Sequence, residues 1–166
     1  MQDDQDVQGE ADLGDVRVVT VDSRDQRRQM MRRLLEHCFE PAQIAEADSR
    51  AAAIEVVGRC RPDVVVVEIQ MPLEVGLDTI DALGRMSPRP RIVVCSFRHD
   101  AATVAAALDR GADAYLAKPA GSAQLREALV MDPAERAVRH RPPHERPVSP
   151  SPLRNPEPTV EPATAP

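Results

Sequence analysis

Aromatic residues are scarce in this chain of 166 residues, which has no tryptophan, one tyrosine and two phenylalanines. That argues against a surface for single-stranded nucleic acid, which stacks bases on flat rings. A core must then be built from Val, Ile, Leu, Ala and Met, and an apolar share of 42% is enough for one. The three cysteines, Cys38, Cys60 and Cys95, are odd in number and far apart. Neither a disulfide framework nor zinc-ligand spacing is present. Cys95 stands inside an apolar run and reads as a small core residue. No run approaches the roughly 20 apolar residues that a membrane span needs, and residues 1–15 hold no apolar stretch that would make a signal peptide. The expectation is a cytoplasmic protein without membrane contact.

Basic charge is also in short supply, with 21 Lys and Arg against 27 Asp and Glu and a net charge of −6. The acidity concentrates in residues 1–15, and the stretch that follows is nearly neutral. Nothing resembles the basic face of a nucleic-acid binder. A local cluster, Arg24, Arg27, Arg28, Arg32 and Arg33, is interrupted by Asp25 and Glu36 and reads as a solvated helix face. Lysine is the rarest charged residue: Lys118 stands alone beside 20 arginines. A compact ammonium on a flexible stem, kept at one position next to Pro119, points to a specific pocket role.

What is present is a strict alternation of apolar runs and amphipathic stretches. Residues 16–21, 43–45, 64–69, 91–95 and 114–116 read as strands. Residues 25–38, 49–59, 77–86, 100–110 and 122–129 read as helices, the second capped by Asp48 or Ser49 and the fourth ended by Gly111. Residues 64–69 are apolar on both faces apart from Glu68, as in a central parallel strand. Five β-α units predict an α/β domain over residues 16–131, a doubly wound parallel sheet with helices on both faces. Residues 1–15 read as a disordered acidic leader. Residues 132–166, with ten prolines among the last 34 residues, read as a disordered tail. Function in such sheets gathers at the carboxyl ends of the strands. There the chain carries Asp22, Glu68, Ser96 and Lys118, each directly after apolar core.

Several blocks together resemble the receiver domain of bacterial response regulators, over roughly residues 16–129. They are Val21-Asp22 ending the first strand, VVVVEIQMP ending the third with Gly76 beyond it, Val94-Cys95-Ser96 after the fourth, and GADAYLAKP at the fifth. The resemblance implies a flavodoxin-like fold with strand order 2-1-3-4-5 and a role in two-component phosphorelay signalling. By position it places the phosphoacceptor at Glu68 and the metal-binding acidic pair at Asp22 and Ser23. The phosphoacceptor carboxylate shares in holding the metal, and the remaining ligand, a backbone carbonyl, falls on Gln70. The phosphoryl-sensing hydroxyl falls on Ser96, the cation on Lys118 and the switch aromatic on Tyr115. It also implies a cis Lys118–Pro119 bond, which proline permits.

Two positions depart from that pattern: Glu68 stands where the family has aspartate, and Ser23 where it has an acid. A glutamate carries its carboxylate roughly 1.5 Å further out, and misplacement of about 1 Å can cost on the order of 100-fold in rate. Mg²⁺ demands near-ideal octahedral geometry. The Mg²⁺ site of Asp22, Glu68 and Gln70 is therefore degenerate, and no cofactor beyond weakly held Mg²⁺ is expected. Asp22, Glu68 and Lys118 leave the pocket with one net negative charge. The reading is a stand-alone, atypical receiver without an output domain, not an enzyme, acting by protein contacts with a histidine kinase or a downstream regulator. A homodimer through the fourth helix, fifth strand and fifth helix fits the same resemblance. Two other readings stay open, a working phosphoacceptor and a small-molecule binder on the same fold.

Overall fold

A computed structural model describes residues 16–38 and 43–130. The expected leader and Pro-rich tail lie outside the described residues. Ten elements alternate without exception: β1 (Arg17–Val21), α1 (Asp25–Cys38), β2 (Gln43–Ala47), α2 (Arg50–Cys60) and β3 (Val64–Val67) form the first half. The second half is α3 (Leu73–Gly84), β4 (Arg91–Ser96), α4 (Ala101–Asp109), β5 (Ala114–Ala117) and α5 (Ser122–Leu129). All strand pairs are parallel, in the order β2-β1-β3-β4-β5. This is the flavodoxin-like, doubly wound architecture that the alternation implies.

Side chains of successive strand residues point to opposite faces, so a strand buried on both sides must be apolar throughout. β3 meets that demand with four valines. Val65 and Val67 join a core with α2, α3 and α4 through Ala53, Val57, Ile80, Leu83 and Ala107. Val64 and Val66 join a second core with α1 and α5 through Met31, Leu35, Leu125 and Leu129. With β-branched strands packed on both faces, the carboxyl ends of β1, β3 and β4 form a rigid rim.

Element boundaries differ from the sequence reading in instructive places. α3 begins at Leu73, not at residue 77, and ends at Gly84. Gly76 reads as loop but sits in the first turn, where a Cβ would lie 2.6 Å from the Ile69 Cα. Only glycine lets the helix close down on the segment leaving β3. β2 runs on through Glu46 because an edge strand can carry a polar residue, here paired with Arg32 at 2.7 Å. Ser49 caps α2 by accepting from the Ala52 amide, and the Asp100 carboxylate caps α4 by accepting from Thr103.

Candidate functional site

Each expected site residue lies at or beside the carboxyl rim, Ser23 and Gln70 on its exposed side. Asp22 follows β1 and is 4% exposed. Its amide is tied to the Ala47 carbonyl at 3.1 Å, and its Oδ1 accepts from the Arg24 amide at 2.9 Å. This local turn aims the carboxylate at the rim. Ser23 is exposed. Ser96, the last residue of β4, is fully buried. Lys118 follows β5, its amide donating to the Ser96 carbonyl at 2.8 Å. The Lys118–Pro119 bond is cis.

Glu68 is the centre of the arrangement. It is 3% exposed, and its amide donates to the Val21 carbonyl at 2.9 Å. Four donors converge on its carboxylate. Oε1 accepts from Ser96 Oγ at 2.6 Å and from the Gln70 amide at 3.0 Å. Oε2 accepts from Lys118 Nζ at 2.9 Å and from Arg27 Nη1 at 3.4 Å. A carboxylate has about four lone-pair sites, so this one is saturated. Lys118 also lies over the Phe97 ring, 5.3 Å from its centroid.

From Ser96 the hydrogen bonds continue outward. Its Oγ accepts from the Arg98 amide at 3.2 Å, and the Arg98 carbonyl accepts from the Tyr115 hydroxyl. A continuous chain thus links Glu68 to a half-buried tyrosine on β5. Burial pushes the Tyr115 hydroxyl above its ordinary pKa. Burial likewise pushes the Cys95 thiol up to about 11, with Glu68 adding to the effect and Lys118 opposing it.

Arg27 is the residue that the sequence reading misplaced. The run of arginines predicts a solvated helix face, yet the Arg27 side chain is 18% exposed and lies in the pocket. The guanidinium reaches Glu68 and Gln70 Oε1, each at 3.4 Å, and lies 4.0 Å from Asp22 Oδ2. Arg28 and Arg32 are also drawn against the domain, Arg28 onto the Asp22 carbonyl at 2.8 Å and Arg32 onto Glu46. A signal was available. Arg27, Met31 and Leu35 are spaced by four, which puts Arg27 on the buried stripe of α1. With Arg27 counted, two carboxylates face two cations, and the expected net negative charge of the pocket becomes neutrality.

The residues do not fit Mg²⁺. Its ligands are oxygens, with carboxylates the usual protein donors, but Glu68 is filled and the Gln70 side-chain oxygen accepts from Arg27. A guanidinium stands among the side-chain oxygens that remain. Among the described residues no group of three His, Cys, Asp or Glu could hold a metal. The cavity that Asp22, Glu68 and Lys118 share with Thr20, Val66 and Cys95 is about 10 Å³, about the least that admits one water.

Comparison with known proteins adds an independent line. Residues 18–130 match the family described as the response regulator receiver domain. The nitrate/nitrite response regulator protein NarP of Escherichia coli K12 is 34% identical over 112 residues, 68% of this chain and 52% of that protein. The chemotaxis protein CheY of Thermotoga maritima is 32% identical over 114 residues, 68% of this chain and 93% of that protein. The chain thus spans nearly all of that CheY but only about half of NarP, and about a third of a protein-glutamate methylesterase of Pyrococcus abyssi. Among solved structures, a response regulator from Burkholderia pseudomallei with a phosphorylated aspartic acid superposes with a TM-score of 0.63 at 26% identity. That match covers 80% of this chain and 76% of the other. The receiver domain of a response regulator, NarL, from Mycobacterium tuberculosis gives a TM-score of 0.60 at 27% identity, covering 70% and 94%. Among the described residues no helix is long and apolar enough to cross a membrane.

Proposed function

The chain belongs to the response regulator receiver domain family, and we propose that it serves two-component signalling without being phosphorylated in its own pocket. The observation that carries this reading is the saturated Glu68 carboxylate. A phosphoacceptor must present a free lone pair in line with the leaving group, and phosphoryl transfer rests on positioning and metal charge. Glu68 has its lone pairs committed to Ser96, Gln70, Lys118 and Arg27. To attack a donor it would have to surrender at least one charge-assisted bond inside a buried site. Its longer side chain also carries the carboxylate toward Ser96 and Lys118, where the family places phosphoryl oxygens.

The same contacts make Glu68 a partial internal stand-in for a bound phosphoryl group. A carboxylate supplies two oxygens and one charge, against three oxygens and nearly two charges. Ser96 is drawn in, and Tyr115 is held on the carbonyl two residues further along. Signal output then passes through the surface around α4, β5 and α5 to a protein partner, a histidine kinase or a downstream regulator.

The test is incubation of the full chain with acetyl phosphate and Mg²⁺, followed by intact mass. The expected result is no gain of a phosphoryl group. A stoichiometric adduct mapped to Glu68 would overturn the reading.

A further inference from the structure

We infer that Arg27 is the resident cation of the pocket, a tethered substitute for a divalent metal ion. The inference rests on the reading above and deepens it: the site lacks metal affinity because its cation is built in, not only because acids are missing.

Three observations carry it. First, Arg27 occupies the buried stripe of α1, one turn before Met31 and two before Leu35. An arginine there must bring its charge into the domain interior, which is costly unless acids receive it. Second, its guanidinium faces the side-chain oxygens of Asp22, Glu68 and Gln70. All three residues are among the four to which the resemblance assigns metal coordination, the fourth being Ser23, although at Gln70 the assigned ligand is the backbone carbonyl. Third, neighbouring arginines of the same helix do not enter the cluster of side-chain oxygens: Arg28 donates to the Asp22 backbone carbonyl at 2.8 Å and pairs with Asp25 at 2.9 Å, and Arg32 pairs with Glu46 at 2.7 Å. Only Arg27 of that cluster reaches Glu68 in the structure. A guanidinium stays charged at every pH a protein survives. The pocket is therefore compensated at all times, with no dependence on free metal.

The consequence is specific. Restoring the two acids, Ser23→Asp with Glu68→Asp, leaves a positive charge where the metal would sit. Removing that charge as well must open the site.

The experiment is calorimetric titration of the full chain with Mg²⁺ in three backgrounds. The double variant Ser23→Asp/Glu68→Asp is compared with the same protein carrying Arg27→Met or Arg27→Lys. The expected result is at least about tenfold tighter Mg²⁺ binding on adding Arg27→Met, because a like charge is removed from contact distance. Arg27→Lys should return affinity toward that of the double variant. Equal affinities in all three backgrounds would overturn the inference. Thermal melts check folding, and Arg27→Gln replaces Arg27→Met if the latter does not fold. Phosphoryl uptake by the wild-type chain would sink the functional reading and leave this result standing. Equal Mg²⁺ affinities would sink the inference and leave that reading standing.

Discussion

The two ends of the sheet both bury carboxylates, and they satisfy them in different ways. At the amino end, Asp63 accepts from the Arg17 amide at 2.8 Å. Asp113 accepts from the Ile92 amide at 2.7 Å while Arg89 grips both its oxygens at 3.0 Å. Those bonds tie acids to the strands themselves and fix where β1 and β4 begin. At the carboxyl end, Glu68 is held by Ser96, Lys118 and Arg27, with one backbone amide from the flanking loop. Side-chain donors can change rotamer and withdraw, whereas a strand's amide is fixed in place by the sheet. The amino end is therefore a structural clasp, and on the proposed reading the carboxyl end is the device whose state changes.

The comparison breaks most visibly at Lys118. Lys118→Met removes a cation from a buried pair, and removing one partner of such a pair costs roughly 3–5 kcal/mol. The lower end of that range is expected here because Arg27 remains, and a urea midpoint with its slope would measure it. At the amino end, Asp63→Ala leaves a half-buried amide short of its acceptor, and roughly 2 kcal/mol should be lost. The sharper contrast lies in the readout. Lys118→Met should shift the Tyr115 ring signals in NMR spectra, and Asp63→Ala should leave them in place although it also destabilises. Equal Tyr115 shifts in both variants would erase the distinction between clasp and device.

A smaller effect concerns Cys95, buried behind the pocket. Its folded pKa is raised to about 11, so the folded state favours the neutral thiol. The associated stability is fully present below the ordinary thiol pKa and is lost as pH rises through about 11. Thiol labelling at neutral pH should modify the half-buried Cys60 first and Cys95 only on unfolding. Fast labelling of Cys95 in the native protein would show that the core beneath the pocket opens.

Much of this was legible in the residues. The four valines of β3 and the five β-α units around them announce a parallel sheet covered by helices on both faces, because a strand apolar on both sides has to be buried on both. The lone lysine singled out the pocket's cation. Two features escaped, for a physical reason each. The start of α3 was hidden because Gly76 reads as a helix breaker, while its use is close approach to Ile69. Arg27 was hidden because composition was weighed over periodicity: five arginines look solvated until the four-residue spacing to Met31 and Leu35 is counted. The saturation of Glu68 could not be read at all, since it depends on how far each side chain reaches across the rim.

The central claim is that Glu68 itself holds the chain of contacts through Ser96 to Tyr115. Glu68→Gln keeps the shape and removes the charge, so it tests that claim most directly. Comparing the Tyr115 ring signals of wild type and Glu68→Gln is decisive, since the chain has one tyrosine. The expected result is a shift of the ring toward a more solvent-exposed, faster-flipping environment, with weaker binding of the proposed protein partner. Identical ring signals and unchanged partner affinity would contradict the account and leave the pocket without a part in output.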